Sequence, residues 1–166
     1  EDYYWEYQNL LAKEYYIPYL KKQNVNLEST IIDIGCGNGG FTSAFTMSKS
    51  CLGIDIKTFP WNKKKSDQIL FKVHNILTDD NKKYMGRYDL IILRDVIEHI
   101  NKSQKNNFIK IVSSLLKKNG KILITFPPYF SPFGLHQQAI MKTFLKKIPY
   151  LSLLPKQILK LLILKL

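Results

Sequence analysis

Asp33, Gly35, Gly37 and Asp55 are the residues whose types and spacing point most directly to chemistry. Asp33 and the glycines lie in the run IIDIGCGNGGF (31–41), and Asp55 near the end of CLGIDI (51–56). Glycines at 35, 37, 39 and 40 let a backbone approach a ligand closely and adopt dihedrals that a Cβ forbids, so they make room for a cofactor. Asp55 follows at about the separation at which an acid meets a ribose diol in nucleotide-binding α/β units, which selects an adenosine-containing ligand. Gly35, Gly37 and Gly40 also satisfy G-x-G-x-x-G, a permissive pattern shared with nicotinamide dinucleotide sites. Asp33 separates the two readings. A carboxylate just ahead of the loop repels a pyrophosphate but suits the ammonium of a methionine moiety, and so favours S-adenosylmethionine.

The elements that must position these residues follow from the apolar pattern. TIIDI (30–34) is a β-branched run suited to a buried strand, and the glycine loop leads from it into a predicted helix, FTSAFTMSK (41–49). Further strands are predicted over 51–56, 69–75 and 88–93, the last apolar enough to be buried on both faces. A helix is predicted over 102–117, ended by Asn119-Gly120, with KILITF (121–126) as a fifth strand. Before the first strand, Tyr3, Tyr7, Leu10, Leu11, Tyr15 and Leu20 fall near helical spacing and predict one or two leading helices. Strands alternating with helices imply right-handed crossovers and a mainly parallel sheet of about five strands. After residue 126 the pattern changes to the loop PPYFSPFG and two predicted helices around Pro149 and Pro155, with no further convincing strand. The expected organisation is a single domain over 1–166: a helical segment (1–29), a cofactor-binding core (30–126), and an acceptor-side loop with a basic tail (127–166).

From residue 30 to about 138 the chain resembles the class I methyltransferase family, especially its small-molecule members, whose first motif is an acid followed by a G-x-G loop. That resemblance implies a Rossmann-like three-layer α/β sandwich with strand order 3-2-1-4-5, the family's sixth and seventh strands missing here. It also implies that Asp33 and Gly35 contact the methionine part, Gly37 lies beside the cofactor and Asp55 binds the ribose hydroxyls, with Cys36 and Ile56 counted among the cofactor-binding residues. Asn75 and Ile76 match the place where adenine is held, although Asp is commoner than Asn there. Arg94 and Asp95, in LRDVIEHI, match the border of the methyl-transfer pocket. Taken singly, Gly35 and Gly37 can serve only a turn, and Asp33 only a helix cap; the agreement of loop, acid spacing and strand order is what favours a cofactor site.

Methyl transfer from a sulfonium is an in-line displacement, in which a protein chiefly aligns the partners and excludes water. A base is needed only where the acceptor must lose a proton, and His136 and His99 are the candidates, His136 slightly preferred. His74 reads as a packing or adenine-proximal residue. Tyr129 and Phe133 are expected to wall the acceptor pocket. Asp95, Glu98, His99 and His136 have some likeness to the E-x-x-E-H metal site of RNA 3′-terminal methyltransferases, but the first position is Asp, and no metal is expected. FPPYF lacks both the position and the amide acceptor of the Asn-Pro-Pro-Tyr motif of amino-methyltransferases.

Composition sets the wider frame. An apolar fraction of 45% and a charged fraction of 23% are those of a folded globular domain. Two cysteines and an acidic, aromatic start without the features of a signal peptide favour a reducing, cytoplasmic setting. The net charge of +12 is concentrated after residue 98, where 12 lysines stand without one acid. Such asymmetry suits an anionic membrane surface or nucleic acid, and equally the residue bias of an AT-rich genome, since only Arg87 and Arg94 are arginines. The expected partner is a small or lipid-linked acceptor, with peripheral membrane docking through PKQILKLLILKL as a hypothesis. RNA methylation through the basic half, or an inactive cofactor-binding or membrane-associated module, are the rival readings.

Overall fold

The computed structural model describes residues 2–61, 66–128, 131–132, 144–155, 157–159 and 161. The chain divides into two compact units, Glu1–Thr125 and Phe126–Leu166. In the first, five parallel strands, β1 (Thr30–Ile34), β2 (Ser50–Asp55), β3 (Ile69–Val73), β4 (Tyr88–Arg94) and β5 (Leu116–Thr125), form one sheet in the order β3-β2-β1-β4-β5. This is the expected order. β1 is central because its run of isoleucines must be covered on both sides: Ile31 and Ile32 point to opposite faces and both are fully buried. The register sets Asp33 between Gly53 of β2 and Ile92 of β4. The carboxyl ends of these three strands, where open α/β sheets bind ligands, are thereby aligned.

Helical layers cover both faces. On one, α3 (Lys105–Leu115) buries Phe108, Val112 and Leu115, spaced along a single stripe, against Ile32, Ile34, Ile54, Ile91 and Leu93. On the other, α1 (Asp2–Leu11), a π-helical turn (Ala12–Tyr16) and α2 (Ile17–Lys22) bring Ala12, Ile17 and Leu20 onto Ile31, Leu90 and Ile92, with Phe41 and Phe45. The leading helices are therefore present, but most of the aromatic stripe that revealed them lies outward. Tyr3, Tyr7, Leu10 and Tyr15 are exposed, whereas Gln8 and Asn9 are buried.

Two predicted elements differ. The helix expected over 41–49 is reduced to a 3₁₀ turn, Thr42–Ala44. Here the Thr42 hydroxyl donates to Asp33 at 2.6 Å and the Ser48 hydroxyl to the Phe45 carbonyl, so side chains compete with helix continuation. The helix over 102–117 ends at Leu115, and Asn119-Gly120 lies in an irregularity of β5 rather than at a helix cap. The carbonyls of Ser114 and Leu115, which a capping glycine would serve, accept the Gly86 and Arg87 amides instead.

In the second unit, 3₁₀ turns span Phe144–Lys147 and Leu151–Leu153, while residues 136–143 of the first predicted helix lie outside the described residues. Between them Pro149 and the left-handed Tyr150 interrupt any helical ladder. Leu151 and Leu159 form a small apolar cluster with Leu145, Ile148 and Leu154. No strand follows β5 among the described residues.

Candidate functional site

The glycine loop is fastened to β2. The Gly35 and Cys36 amides donate to the Ile54 carbonyl at 2.8 and 3.0 Å, and the Gly37 amide donates to Asp55 Oδ2 at 2.9 Å. Asp55 Oδ1 accepts the Lys57 amide at 3.0 Å, which orients the carboxylate at the strand end. Gly35 and Gly37 both have positive φ, but their roles differ. A Cβ at Gly35 would collide with Val96 Cγ2, whereas one at Gly37 would meet nothing within 4 Å. Gly37 is thus the position where the backbone borders open space.

The expectation that all four glycines make room for a ligand is corrected at Gly35, whose space Val96 fills, and at the other two. A Cβ at Gly39 would lie 2.7 Å from the Phe71 ring, and one at Gly40 would meet the Trp5 carbonyl. These two make room for the protein's own packing: Gly40 lets α1 approach, where the Asn9 amide donates to the Gly40 carbonyl at 3.0 Å.

Two cavities meet above the strand ends and share Gly35 and Asp95. The smaller, about 210 Å³, is lined by Asp33, Gly35, Cys36, Gly37, Arg94 and Asp95, and by Tyr4 and Gln8 from α1. Asp33 is buried, and burial pushes its carboxyl up to about 6, against the Thr42 hydrogen bond and the Arg94 charge, with Asp55 adding to the rise. Arg94 donates through Nη1 to Gln8 Oε1 at 2.7 Å, and its guanidinium carbon lies 4.1 Å from the centre of the Phe41 ring. Cys36 is buried, and burial together with Asp33 and Asp55 drives its thiol far above the usual range. It is a wall, not a nucleophile.

The larger cavity, about 490 Å³, is lined by Asp55, Ile56, Asn75, Ile76, Asp95 and His99, among others. Asn75 closes a turn: its amide donates to Asp79 Oδ2 and its Oδ1 accepts the Leu77 amide. Ile76 is buried and Ile56 exposed. Asp95 has φ +53° at the end of β4, held by its amide donating to the Thr125 carbonyl at 3.0 Å and by the Thr125 hydroxyl donating to Oδ1 at 3.3 Å. A non-glycine residue in this conformation at the junction of two cavities is the kind of strain that sites retain. His99 is exposed, on a 3₁₀ turn (Ile97–His99). His74 is buried, with Nε2 2.8 Å from Asn81 Oδ1 and its ring edge-on to Tyr84, and it also lines this cavity beside Asn75 and Ile76.

His136, Tyr129 and Phe133 lie outside the described residues. Sequence reasoning missed Gln8 and Tyr4. The available signal was polarity: Gln8 and Asn9 interrupt an otherwise aromatic helix, and buried amides on such a helix need partners.

The family profile described as a methyltransferase domain matches residues 4–152. No curated protein sequence matches the chain. Among solved structures, an S-adenosylmethionine-dependent methyltransferase from Clostridium acetobutylicum is similar over 74% of this chain and 52% of its own, with 19% identity and a TM-score of 0.61. A putative sarcosine dimethylglycine methyltransferase from Galdieria sulphuraria is similar over 79% of this chain and 50% of its own, at 22% identity and a TM-score of 0.57. The N-methyltransferase NodS from Bradyrhizobium japonicum, solved with S-adenosyl-L-homocysteine, is similar over 64% of this chain and 60% of its own, at 20% identity and a TM-score of 0.50. The chain spans between 50% and 60% of the length of these three, and at such identities the likeness is one of fold.

Proposed function

The chain belongs to the methyltransferase domain family, and from this premise we propose that it binds S-adenosylmethionine and transfers the methyl group to a small or lipid-linked acceptor. The observation that carries the reading is the pair of cavities joined at Gly35 and Asp95, with a carboxylate and an arginine in one and a carboxylate in the other. An amino acid linked to an adenosine needs an acid for its amine, a cation for its carboxylate and an acid for its diol. Asp33 and Arg94 in the smaller cavity and Asp55 in the larger would supply these.

The fit has two further supports. Gly37 borders open space, so the backbone accepts a ligand against it. Arg94 Nε is buried without a hydrogen-bond partner among the described residues, a donor that a carboxylate can satisfy. Asn75 and Ile76 would hold the adenine end, with Cys36 and Ile56 as apolar walls.

When bound, the cofactor supplies an activated methyl on a sulfonium. The protein's part is alignment and exclusion of water. The Gly37 amide orients Asp55 toward its cavity, Gln8 holds the Arg94 guanidinium, and the Thr125 contacts hold Asp95 at the junction. His99 is the candidate among the described residues to take a proton from an acceptor that must lose one, with His136 as the second candidate. Calorimetry with S-adenosylhomocysteine tests the reading. Asp55→Ala should weaken binding about a hundredfold, since it removes charge-assisted bonds to two hydroxyls. Equal affinity in the variant and the parent would overturn the assignment.

A further inference from the structure

A third cavity, of about 350 Å³, adjoins the glycine loop and shares Tyr4, Gly37 and Asn38 with the smaller cavity above and Phe59 with the larger. Five aromatic residues, Tyr4, Trp5, Phe59, Trp61 and Phe71, line it, together with Asp2 and the loop residues Gly37 and Asn38. Trp61 and Phe71 stack with centroids 5.6 Å apart and planes 14° from parallel, and Phe59 lies 6.0 Å from Trp61. The arrangement is fixed from below. Gly39 leaves the space that the Phe71 and Trp61 rings fill, and the Trp61 indole N–H donates to the Gly37 carbonyl at 2.8 Å.

The lining is unusual for this chain. The protein carries a net charge of +12, yet the described walls of this cavity contain one carboxylate and no lysine or arginine. Among the described residues, then, the walls offer an anion no counter-charge. A purely apolar occupant would leave the ring faces, with their negative quadrupoles, and Asp2 without use. Several aromatic faces with one acid are what an alkylated ammonium requires: a cation too poorly hydrated to resist desolvation, attracted by the rings and neutralised by the carboxylate. We propose that this aromatic cage binds a methylated ammonium group.

The cage is linked to the glycine loop. Trp61 holds the Gly37 carbonyl while Asp55 holds the Gly37 amide, so an occupant that fixes Trp61 also fixes the peptide beside the proposed ribose acid. Occupancy of either place should then tighten the other by the same factor.

The test exploits a coincidence of composition: the chain has two tryptophans, and both line this cavity. Tryptophan emission, excited selectively over the tyrosines, therefore reports on it. Titration of the full chain with choline should give a saturable change in emission, and choline should bind about tenfold more tightly than 3,3-dimethylbutan-1-ol, its neutral isostere. Trp61→Leu, read through Trp5, should weaken choline at least severalfold; should that variant not fold, Asp2→Asn, at an exposed helix start, should do the same. Equal binding of choline and the neutral alcohol, no saturable change, or unaltered choline affinity in a folded variant would each overturn the proposal. The cage stands independently of the cofactor reading. Choline binding without S-adenosylhomocysteine binding sinks only the latter, and the converse sinks only the cage.

Discussion

Asp33 and Asp89 sit on neighbouring strands at opposite ends of the same sheet, and their surroundings are opposite in kind. At the amino end, Asp89 accepts the Thr30 amide at 3.0 Å, the Thr30 hydroxyl at 2.6 Å and Lys117 Nζ at 2.7 Å. Partial burial raises its pKa, but the bonds from Lys117 and Thr30 outweigh that and hold it at about 2. At the carboxyl end, Asp33 is buried and carries a pKa raised to about 6. One acid stabilises the fold in its charged form; the other costs stability to hold charged. Such a cost persists where a charge is kept for something the free protein lacks, which here is the proposed ligand's ammonium.

The largest effect is expected where the carboxyl end itself divides. Gly35→Ala introduces a Cβ against Val96 at a positive φ, combining a collision with a strained backbone, and should lower stability by about 3 kcal/mol in denaturant unfolding. Gly37→Ala, which meets nothing, should cost about 1 kcal/mol of backbone strain yet weaken S-adenosylhomocysteine by tenfold or more. Similar stability losses in both would show that Gly37 is only a turn, and the contrast between ligand-bearing and structural positions would fail.

Next is Asp33→Asn. Because the folded carboxyl binds its proton more tightly than the unfolded one, native stability falls as pH rises from about 4 to about 6, then levels. The amide removes this cost, so the variant should gain on the order of 2 kcal/mol relative to the parent at pH 7, and the gain should vanish near pH 4. Affinity for S-adenosylhomocysteine should move the other way. In the parent it should fall about tenfold from pH 7 to pH 5, as the carboxyl is protonated; in the variant it should be weak and flat across that range. A variant that is less stable at pH 7 and binds normally would remove Asp33 from the site.

How much of this was legible in the sequence depends on how far apart the cause and the effect lie. TIIDI and YDLIIL declare buried strands because consecutive apolar residues, Ile31-Ile32 and Leu90 to Leu93, cover both faces at once. The pairing of glycine loop with Asp55 follows from strand, loop and strand in succession. The Gln8–Arg94 bond joins residues 86 positions apart, and neither alone signals the other. The cage is likewise assembled from α1, the segment after β2, and β3, with no local periodicity to mark it. The end of α3 misled for a related reason. Asn119-Gly120 has the chemistry of a helix stop, but the amides of Gly86 and Arg87 had already satisfied the carbonyls that such a stop serves.

The smallest effect should be at the amino end, and its sign decides whether the comparison holds. Asp89→Asn keeps an oxygen for the Thr30 donors and loses the charge facing Lys117, a pair whose side chains are 36% and 41% exposed. Solvent screening limits such a pair to under about 1 kcal/mol. The variant should therefore be slightly less stable than the parent at neutral pH, where the same exchange at Asp33 stabilises. Since the parent's advantage rests on a depressed pKa, it should be present above about pH 4 and disappear as pH falls toward 2. Ligand affinity should not change, because the Asp89 contacts all lie at the far end of β1. Asp→Asn would then act with opposite signs on stability at the two ends of one sheet, and only one of the two exchanges would be felt by the ligand. Urea unfolding of both variants at pH 7 and pH 4 measures all four values; a shared, destabilising sign would mean that the Asp33 charge stabilises the fold as that of Asp89 does, and is not held for a ligand.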